Sequence, residues 1–203
     1  MYCVDASSAA LKIAQANLAS HDNVSFLHAD VGALPFEIGE LDFAYSLGVL
    51  HHVPNTADAI ASIARVLKPG GLLLVYLYYA LDNRPLWFKS VWRMTDVLRW
   101  GISRLPSFLR FAVCDLIAAL VYWPVARLSR WLARASGRSS FPLSYYGDKS
   151  FYVMRTDALD RFGTRLEQRF RRDEVAKMLE AAGFHDIRFS EGPPFWCAIG
   201  RKR

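Results

Sequence analysis

The segment 72–79 constrains the fold of this chain more than any other. It is a near-continuous run of apolar residues, and Lys68-Pro69-Gly70-Gly71 stands directly before it. Proline and glycine end a helix, so the run begins as a new element. A strand this apolar is buried on both faces, which is typical of the parallel sheet of an α/β protein. Before the turn, Thr56 is a candidate cap for a helix with one apolar face.

Strands and helices also alternate in the N-terminal and C-terminal parts of the chain. Residues 1–4, 23–27 and 41–47 are predicted strands, and a helix capped by Ser7 is predicted to run to about Ser20. Near the C-terminus, a helix with Asp173 and Glu174 in its first turn is predicted to end at Gly183. The strands 184–190 and 195–200 follow. Their connection is too short for a parallel crossover, so this pair is predicted to be antiparallel.

Residues 84–138 differ in composition from the rest of the chain. They carry ten Arg or Lys against two Asp, a net charge of +8, and five of the six tryptophans. The change predicts three segments: a Rossmann-like part at 1–83, a basic and aromatic helical insertion at 84–150, and a return to the first part at 151–203.

The insertion leaves two interpretations open. Residues 111–126 carry one charge, Asp115, but the stretch is shorter than a spanning helix and Pro124 interrupts it, so no membrane span is predicted. Trp and Arg among aliphatic residues favour an amphipathic helical hairpin. The hairpin would be either a lid on the Rossmann-like part or a peripheral membrane contact. Nucleic acid is an unlikely partner, because no recognised binding module accompanies the arginines.

Six short motifs follow one another along the chain: Val4-Asp5-Ala6-Ser7, Ala29-Asp30-Val31, Leu41–Ser46 with Val49-Leu50-His51-His52-Val53, Leu67–Gly71, Ala181–Phe184 and Trp196–Lys202. In this order they resemble the class I S-adenosylmethionine (SAM)-dependent methyltransferases, of the methyltransferase type 11-like kind. The resemblance covers about residues 1–80 and 165–203. It implies a Rossmann-like α/β sheet with a helical insertion and a C-terminal antiparallel strand pair.

The resemblance also implies which residues bind the cofactor, SAM. Asp5, with Ala6 beside it, would accept hydrogen bonds from the ribose hydroxyls. Asp30 and Val31 would lie at the adenine. The backbone of residues 46–48 (Ser46, Leu47 and Gly48) would pass close to the methyl-transfer centre.

The family's glycine-rich cofactor turn is the main departure from the pattern. The sequence contains no Gly-x-Gly-x-Gly, and in Rossmann-type sites the ribose-binding acid follows that turn by ~20 residues. Asp5 is the fifth residue. The expectation is therefore a sheet that lacks its first strand and its glycine-rich loop, both of which would lie before Met1.

A few residues are candidates for catalysis or for binding the acceptor. His51 and His52 are candidate general bases, although one of them could instead cap the loop and pack under the cofactor. No metal site is expected, because adjacent histidines do not share a face and no spaced partner is evident. The polar and aromatic segment 145–164 is a candidate acceptor wall or an ordinary loop with a helix capped by Thr156 and Asp157. Its candidate acceptor-binding residues are Tyr145, Asp157, Asp160 and Arg161.

The function implied is methyl transfer from SAM to a small-molecule acceptor, apolar or lipid-linked. The alternative is a catalytically silent fragment, or a membrane- or protein-interaction module on a degenerate methyltransferase fold. Three widely spaced cysteines and no visible secretory signal predict a cytoplasmic protein, either free or at the inner face of the membrane.

Overall fold

The computed structural model describes residues 1–82, 85–136, 143–192 and 194–203. The sequence features Arg84, Arg138 and Pro193 lie outside these ranges. The chain forms two compact units: an α/β unit of residues 1–82 and 168–203, and a helical unit of residues 83–167. The helical unit therefore reaches further than residue 150, where the sequence analysis ended the insertion, because the helix at 151–163 packs against the helices before it.

The described part of the α/β unit contains six strands and three helices, with two short 3-10 turns at Val31–Ala33 and Leu50–His52. In chain order they are β1 (Tyr2–Asp5), α1 (Ser8–Asn17), β2 (Ser25–His28), β3 (Leu41–Leu47), α2 (Thr56–Val66), β4 (Leu67–Tyr76), then α7 (Arg172–Ala181), β5 (Phe184–Phe189) and β6 (Cys197–Lys202).

The six strands form two sheets. β1 pairs with β2 in parallel, and the second sheet has the order β3-β4-β6-β5. β3 and β4 are parallel, whereas β6 is antiparallel to both of its neighbours. The α/β class and the C-terminal antiparallel pair are thus confirmed.

Two details at the start of β4 differ from the sequence-based expectation. Asn55, not Thr56, is the N-cap of α2, since its side chain accepts from the Asp58 amide. β4 begins at Leu67, which pairs with Leu41, and residues 68–71 then bulge out before the register resumes at Leu72. The helix ends before the Pro-Gly-Gly turn as expected, but the turn lies inside β4. Gly70 adopts a positive φ, which lets the bulge close.

The core of the α/β unit lies between α2, α7 and the second sheet. Its centre is formed by fully buried side chains: Ile60, Leu73, Val75, Leu77, Val175, Leu179 and Phe184. Val31 and Leu34, in the turn after β2, pack against this cluster and so attach the β1–β2 sheet to it.

The helical unit is built around its last helix. Its elements are α3 (Leu86–Ile102), α4 (Ser107–Ile117), a π-helical segment (Ala118–Tyr122), α5 (Trp123–Ser136) and α6 (Phe151–Gly163). Both α3 and α4 pack against α6. The unit thus contains more helices than the hairpin of two that the sequence predicts. The expected cap is also wrong: Ser150 caps α6, while Thr156 and Asp157 lie inside the helix, because helical hydrogen bonding already begins at Phe151.

Pro124 does not break the helix that contains it. Residues Ser107–Ala135 are continuous and by length and composition apolar enough to cross a membrane, so the expectation that this segment is too short was wrong. The π-helical segment stands immediately before Trp123-Pro124. Its wider turn accommodates a ring that lacks an amide hydrogen and would clash with the carbonyl one turn back.

Candidate functional site

The candidate cofactor residues of β1 and β2 lie together at the carboxyl ends of these strands. Asp5 and His28 are register partners in the parallel pair, and Asp30 follows two residues later. Both carboxylates are exposed. One oxygen of each accepts a backbone amide 2.7 Å away, from Ser7 and Gly32 respectively. Each side chain is thereby held in one orientation, with its charge toward solvent at the strand end.

The loop after β3 begins with a left-handed glycine. Gly48 has φ +73°, and its amide donates to the carbonyl of Tyr76 at the end of β4, 3.0 Å away. A Cβ at this position would lie 3.9 Å from the Tyr76 ring. The conformation rather than the space requires glycine, and it turns the chain from Ser46 and Leu47 toward the two histidines.

Gln168 holds the histidine turn against the α/β unit. Its amide donates to the carbonyl of His51 (2.9 Å), and its side-chain Nε2 donates to the carbonyl of Val53 (2.5 Å). The hydroxyl of Thr56 donates to the carbonyl of Leu50 (2.8 Å) from the other side. These hydrogen bonds fix the turn that carries His51 and His52. Sequence reasoning missed Gln168, because a lone Gln more than a hundred residues away carries no local signal.

The two histidines lie in an aromatic cluster with Tyr76 and Tyr78. The His51 ring stacks on Tyr78 at 3.7 Å and lies 4.1 Å from the His52 ring, while the Tyr76 and Tyr78 centroids are 5.8 Å apart. His51 is fully buried and His52 is half-buried. The tyrosines were missed because the run 72–79 was interpreted as uniformly apolar. The alternation of Tyr76 and Tyr78 with buried Val75 and Leu77 is the signal that reveals them.

The four candidate acceptor residues all belong to the helical unit, and they have different surroundings. Arg161 is buried, donates to Asp96 (2.8 Å) and Glu167 (2.9 Å), and stacks 3.8 Å over the Trp92 ring. This network gives Arg161 a structural role. Tyr145 is exposed, and its ring meets that of Tyr146 edge-on.

Asp157 lies beside the half-buried phenol of Tyr146. Burial is the main cause of a raised Asp157 pKa, which the hydrogen bond from Tyr146 partly offsets. Burial and the Asp157 charge raise the pKa of Tyr146, and burial raises that of Tyr122 to about 12. The rings of Tyr122 and Tyr146 are 5.3 Å apart. The group therefore keeps both phenols protonated well above pH 10.

The raised phenol pKa values predict a loss of stability at alkaline pH. The unfolded chain releases these protons near pH 10, the ordinary value, whereas Tyr122 in the folded protein holds its proton to about 12. The unfolded state is thus favoured as pH rises through this window, and below it there is no effect. We expect the free energy of unfolding of the parent, relative to that of Tyr122→Phe, to fall between pH about 10 and about 12. Urea titrations at each pH measure it. Tyr152→Phe, at an exposed tyrosine, is the control, and a parent–variant difference constant with pH would contradict the prediction.

Neither a surface depression nor a metal site adds to the candidate site. An open depression of about 470 Å³ is lined by residues of α7 and β5, including Arg172, Glu180 and Phe189, and none of the candidate residues lines it. Within residues 1–82, 85–136, 143–192 and 194–203, no three His, Cys, Asp or Glu side chains come together as a metal site requires.

Comparison with known proteins supports the same class. Residues 1–75, from β1 to β4, match the family model described as a methyltransferase domain. A sterol 4-C-methyltransferase of Caenorhabditis elegans is 39% identical over 61 residues, 30% of this chain and 18% of that protein. A demethylmenaquinone methyltransferase of Staphylococcus aureus is 35% identical over 71 residues, 35% of this chain and 30% of that protein. The chain thus spans less than a third of the length of these curated relatives.

Solved structures show the likeness of fold. A SAM-dependent methyltransferase of Methanosarcina mazei aligns with 99% of this chain and 81% of its own, with a TM-score of 0.53 and 17% identity. A carbon methyltransferase aligns with 98% of this chain and 40% of its own, with a TM-score of 0.52 and 11% identity. Residues 1–75 thus resemble a methyltransferase domain in sequence, and the chain shares the fold of solved methyltransferases.

Proposed function

We propose that this protein transfers a methyl group from SAM to an apolar small-molecule acceptor. The observation that carries the proposal is the pair of oriented carboxylates, Asp5 and Asp30, at the carboxyl ends of adjacent parallel strands. In open α/β sheets ligands bind at this edge. The match of residues 1–75 to a methyltransferase domain supports the choice of ligand.

The residues at this edge fit the hydrogen-bond donors of SAM. The second carboxylate oxygen of Asp5 would accept from the ribose hydroxyls, and Asp30 with the neighbouring Val31 would lie at the adenine. Gly48, with no side chain, leaves room for a ligand to approach the backbone between β3 and the histidine turn. When bound, SAM supplies a methyl group on a positively charged sulfur.

The aromatic cluster supports an apolar acceptor. Tyr76 lies directly beside Gly48, and Tyr78 and His52 continue the same surface. Flat rings of this kind pack against other flat or apolar molecules while their polar ends hydrogen-bond. By their names, two relatives act on a sterol and on demethylmenaquinone, both of which are large apolar molecules. A lipid-linked acceptor would suit the same surface.

The chain's own contribution would be mostly positioning. Fixing the acceptor atom in line with the methyl group removes much of the entropic cost of the reaction. The hydrogen bonds from Gln168 keep the histidine turn rigid for this purpose. His52, which is less buried than His51, is the better placed of the two to take a proton from an acceptor oxygen or nitrogen.

The test is SAM binding by the natural gene product, measured by calorimetry, with Asp5→Asn against Asp22→Asn. Asp22 is exposed in the loop between α1 and β2, so it serves as a matched control. Loss of hydrogen bonds to a charged group costs about 1.5–3 kcal/mol. We therefore expect Asp5→Asn to weaken binding by about 10- to 100-fold, with Asp22→Asn unchanged.

Equal binding by both variants would remove Asp5 from the site. If the natural protein bound neither SAM nor S-adenosylhomocysteine, the enzyme proposal would give way to the alternative, a silent or interaction-only protein on a methyltransferase fold.

A further inference from the structure

The outward face of α3 is apolar. Trp87, Val91, Met94 and Leu98 follow one another at intervals of four, three and four residues, so they form one stripe along the helix. Between 54 and 70% of each residue is exposed. Leu86 and Val97 border the stripe and are exposed as well. A solvated surface helix normally shows the opposite pattern.

The inward face of α3 holds the one acidic residue of this helix. The Asp96 carboxylate binds Arg161 of α6 at 2.8 Å and Arg99 of its own helix at 3.5 Å. The Thr95 hydroxyl accepts from the same Arg161. Asp96 is the only acidic residue of α3, so the polar groups that fix the helix to α6 leave no acid on the exposed stripe.

Basic residues flank the apolar stripe on one side. Arg93 is exposed on the turn before Val97, and the guanidinium of Arg104 lies 4.2 Å over the ring of exposed Trp100. Arginine and tryptophan at the edge of an apolar surface are the residues that lie at the boundary between lipid headgroups and acyl chains. The positive charge complements an anionic headgroup.

The long helix Ser107–Ala135 has two features that disfavour a membrane-spanning role. One side of it is buried within the helical unit at Cys114, Ala118 and Ala126. Within that helix, in its first half, Asp115 forms a 2.6 Å ion pair with Arg155 of α6. Spanning would take this charged pair into hydrocarbon at considerable cost. A helix lying at the interface keeps it in the aqueous part.

We propose that the outward face of α3 (Trp87, Val91, Met94 and Leu98, with Arg93, Trp100 and Arg104) binds the surface of an anionic phospholipid bilayer. The bound helix lies in the membrane plane with its apolar stripe among the upper acyl chains. The proposal is independent of the proposed function, since it concerns only the helical unit. If both hold, the enzyme works where apolar acceptors are dissolved.

Vesicle flotation of the whole protein tests the proposal. We expect binding to vesicles of phosphatidylcholine with about one-third phosphatidylglycerol, and much weaker binding to phosphatidylcholine alone. Met94→Glu/Leu98→Glu should lower binding at least about tenfold. Ile13→Glu/Ile38→Glu introduces the same charges at exposed apolar positions of the α/β unit and should bind like the parent. Arg93→Gln/Arg104→Gln should reduce binding to anionic vesicles and flatten its dependence on salt.

A measurement on the unchanged protein keeps the result independent of folding defects. Trp87 and Trp100 should be quenched by lipids brominated near the headgroup, because these rings enter the upper part of the bilayer. Three results would overturn the proposal: no flotation of the parent, equal flotation of the two glutamate variants, or retention of the protein in membranes after an alkaline wash, which would indicate a spanning helix. Altered methyl transfer with unchanged flotation would point to a lid instead.

Discussion

Arg161→Ala is expected to lower the free energy of unfolding of the helical unit by about 3–5 kcal/mol, the cost of removing one partner from a buried ion pair. The side chains of Arg161 and Glu167 are only 7% and 1% exposed. Without the guanidinium, the Glu167 charge remains buried, Asp96 loses its partner on α6, and the Trp92 ring loses the cation stacked on it. These contacts join α6 to α3 and to the segment after α6.

Tryptophan fluorescence in a urea titration measures this effect, because five of the six tryptophans lie in residues 84–138. Arg155→Ala removes an exposed ion pair with Asp115 and should cost much less than Arg161→Ala, because solvent screens the pair. Arg161→Met/Glu167→Gln should recover part of the loss, since neither replacement is charged. If Arg161→Ala were no more costly than Arg155→Ala, the network would not hold the unit together.

Phe184→Ala is expected to lower the free energy of unfolding of the α/β unit by about 3–5 kcal/mol. Phe184 is 0% exposed and packs in the cluster formed by α2, α7 and the second sheet. Gly200 on β6 allows the close approach, since a Cβ there would come within 3.1 Å of the Phe184 Cβ. Close-packed neighbours on both sides leave little freedom to collapse into the cavity that alanine would create.

Unfolding followed by circular dichroism measures this loss, with Phe43→Ala as the control. Phe43 is 49% exposed on β3, so truncation there removes little buried area and should cost well under half as much. Equal losses at the two positions would mean that the core is not centred on Phe184.

The α/β class and most elements of the first unit follow from local sequence. β3 is found at the predicted residues 41–47, Ser7 caps α1, and α2 ends before the Pro-Gly-Gly turn. Such features depend on neighbours within a few residues: a capping hydroxyl, a proline without an amide hydrogen, and a run of apolar side chains. The family motifs in residues 1–75 are local in the same sense, and this range as a whole matches the model of a methyltransferase domain.

The candidate site was only partly predictable. Asp5, Asp30 and Gly48 directly follow or end strands, so their place at the carboxyl edge follows from the strand assignment. Gln168 and the pairing of Tyr78 with His51 bring together residues far apart along the chain. No periodicity or spacing encodes such contacts. The π-helical segment that carries the long helix past Pro124 was missed for a related reason, since proline by itself predicts an interruption.

The sequence by itself thus determined the class of fold, the strand ends that carry Asp5 and Asp30, and the basic, aromatic character of the second unit. Only the tertiary structure decided that α6 belongs to that unit, that Arg161 forms ion pairs with Asp96 and Glu167, and that the apolar stripe of α3 is exposed. The reason is physical: an amphipathic helix shows which residues share a face, but the partner that binds its polar face decides which face is left exposed.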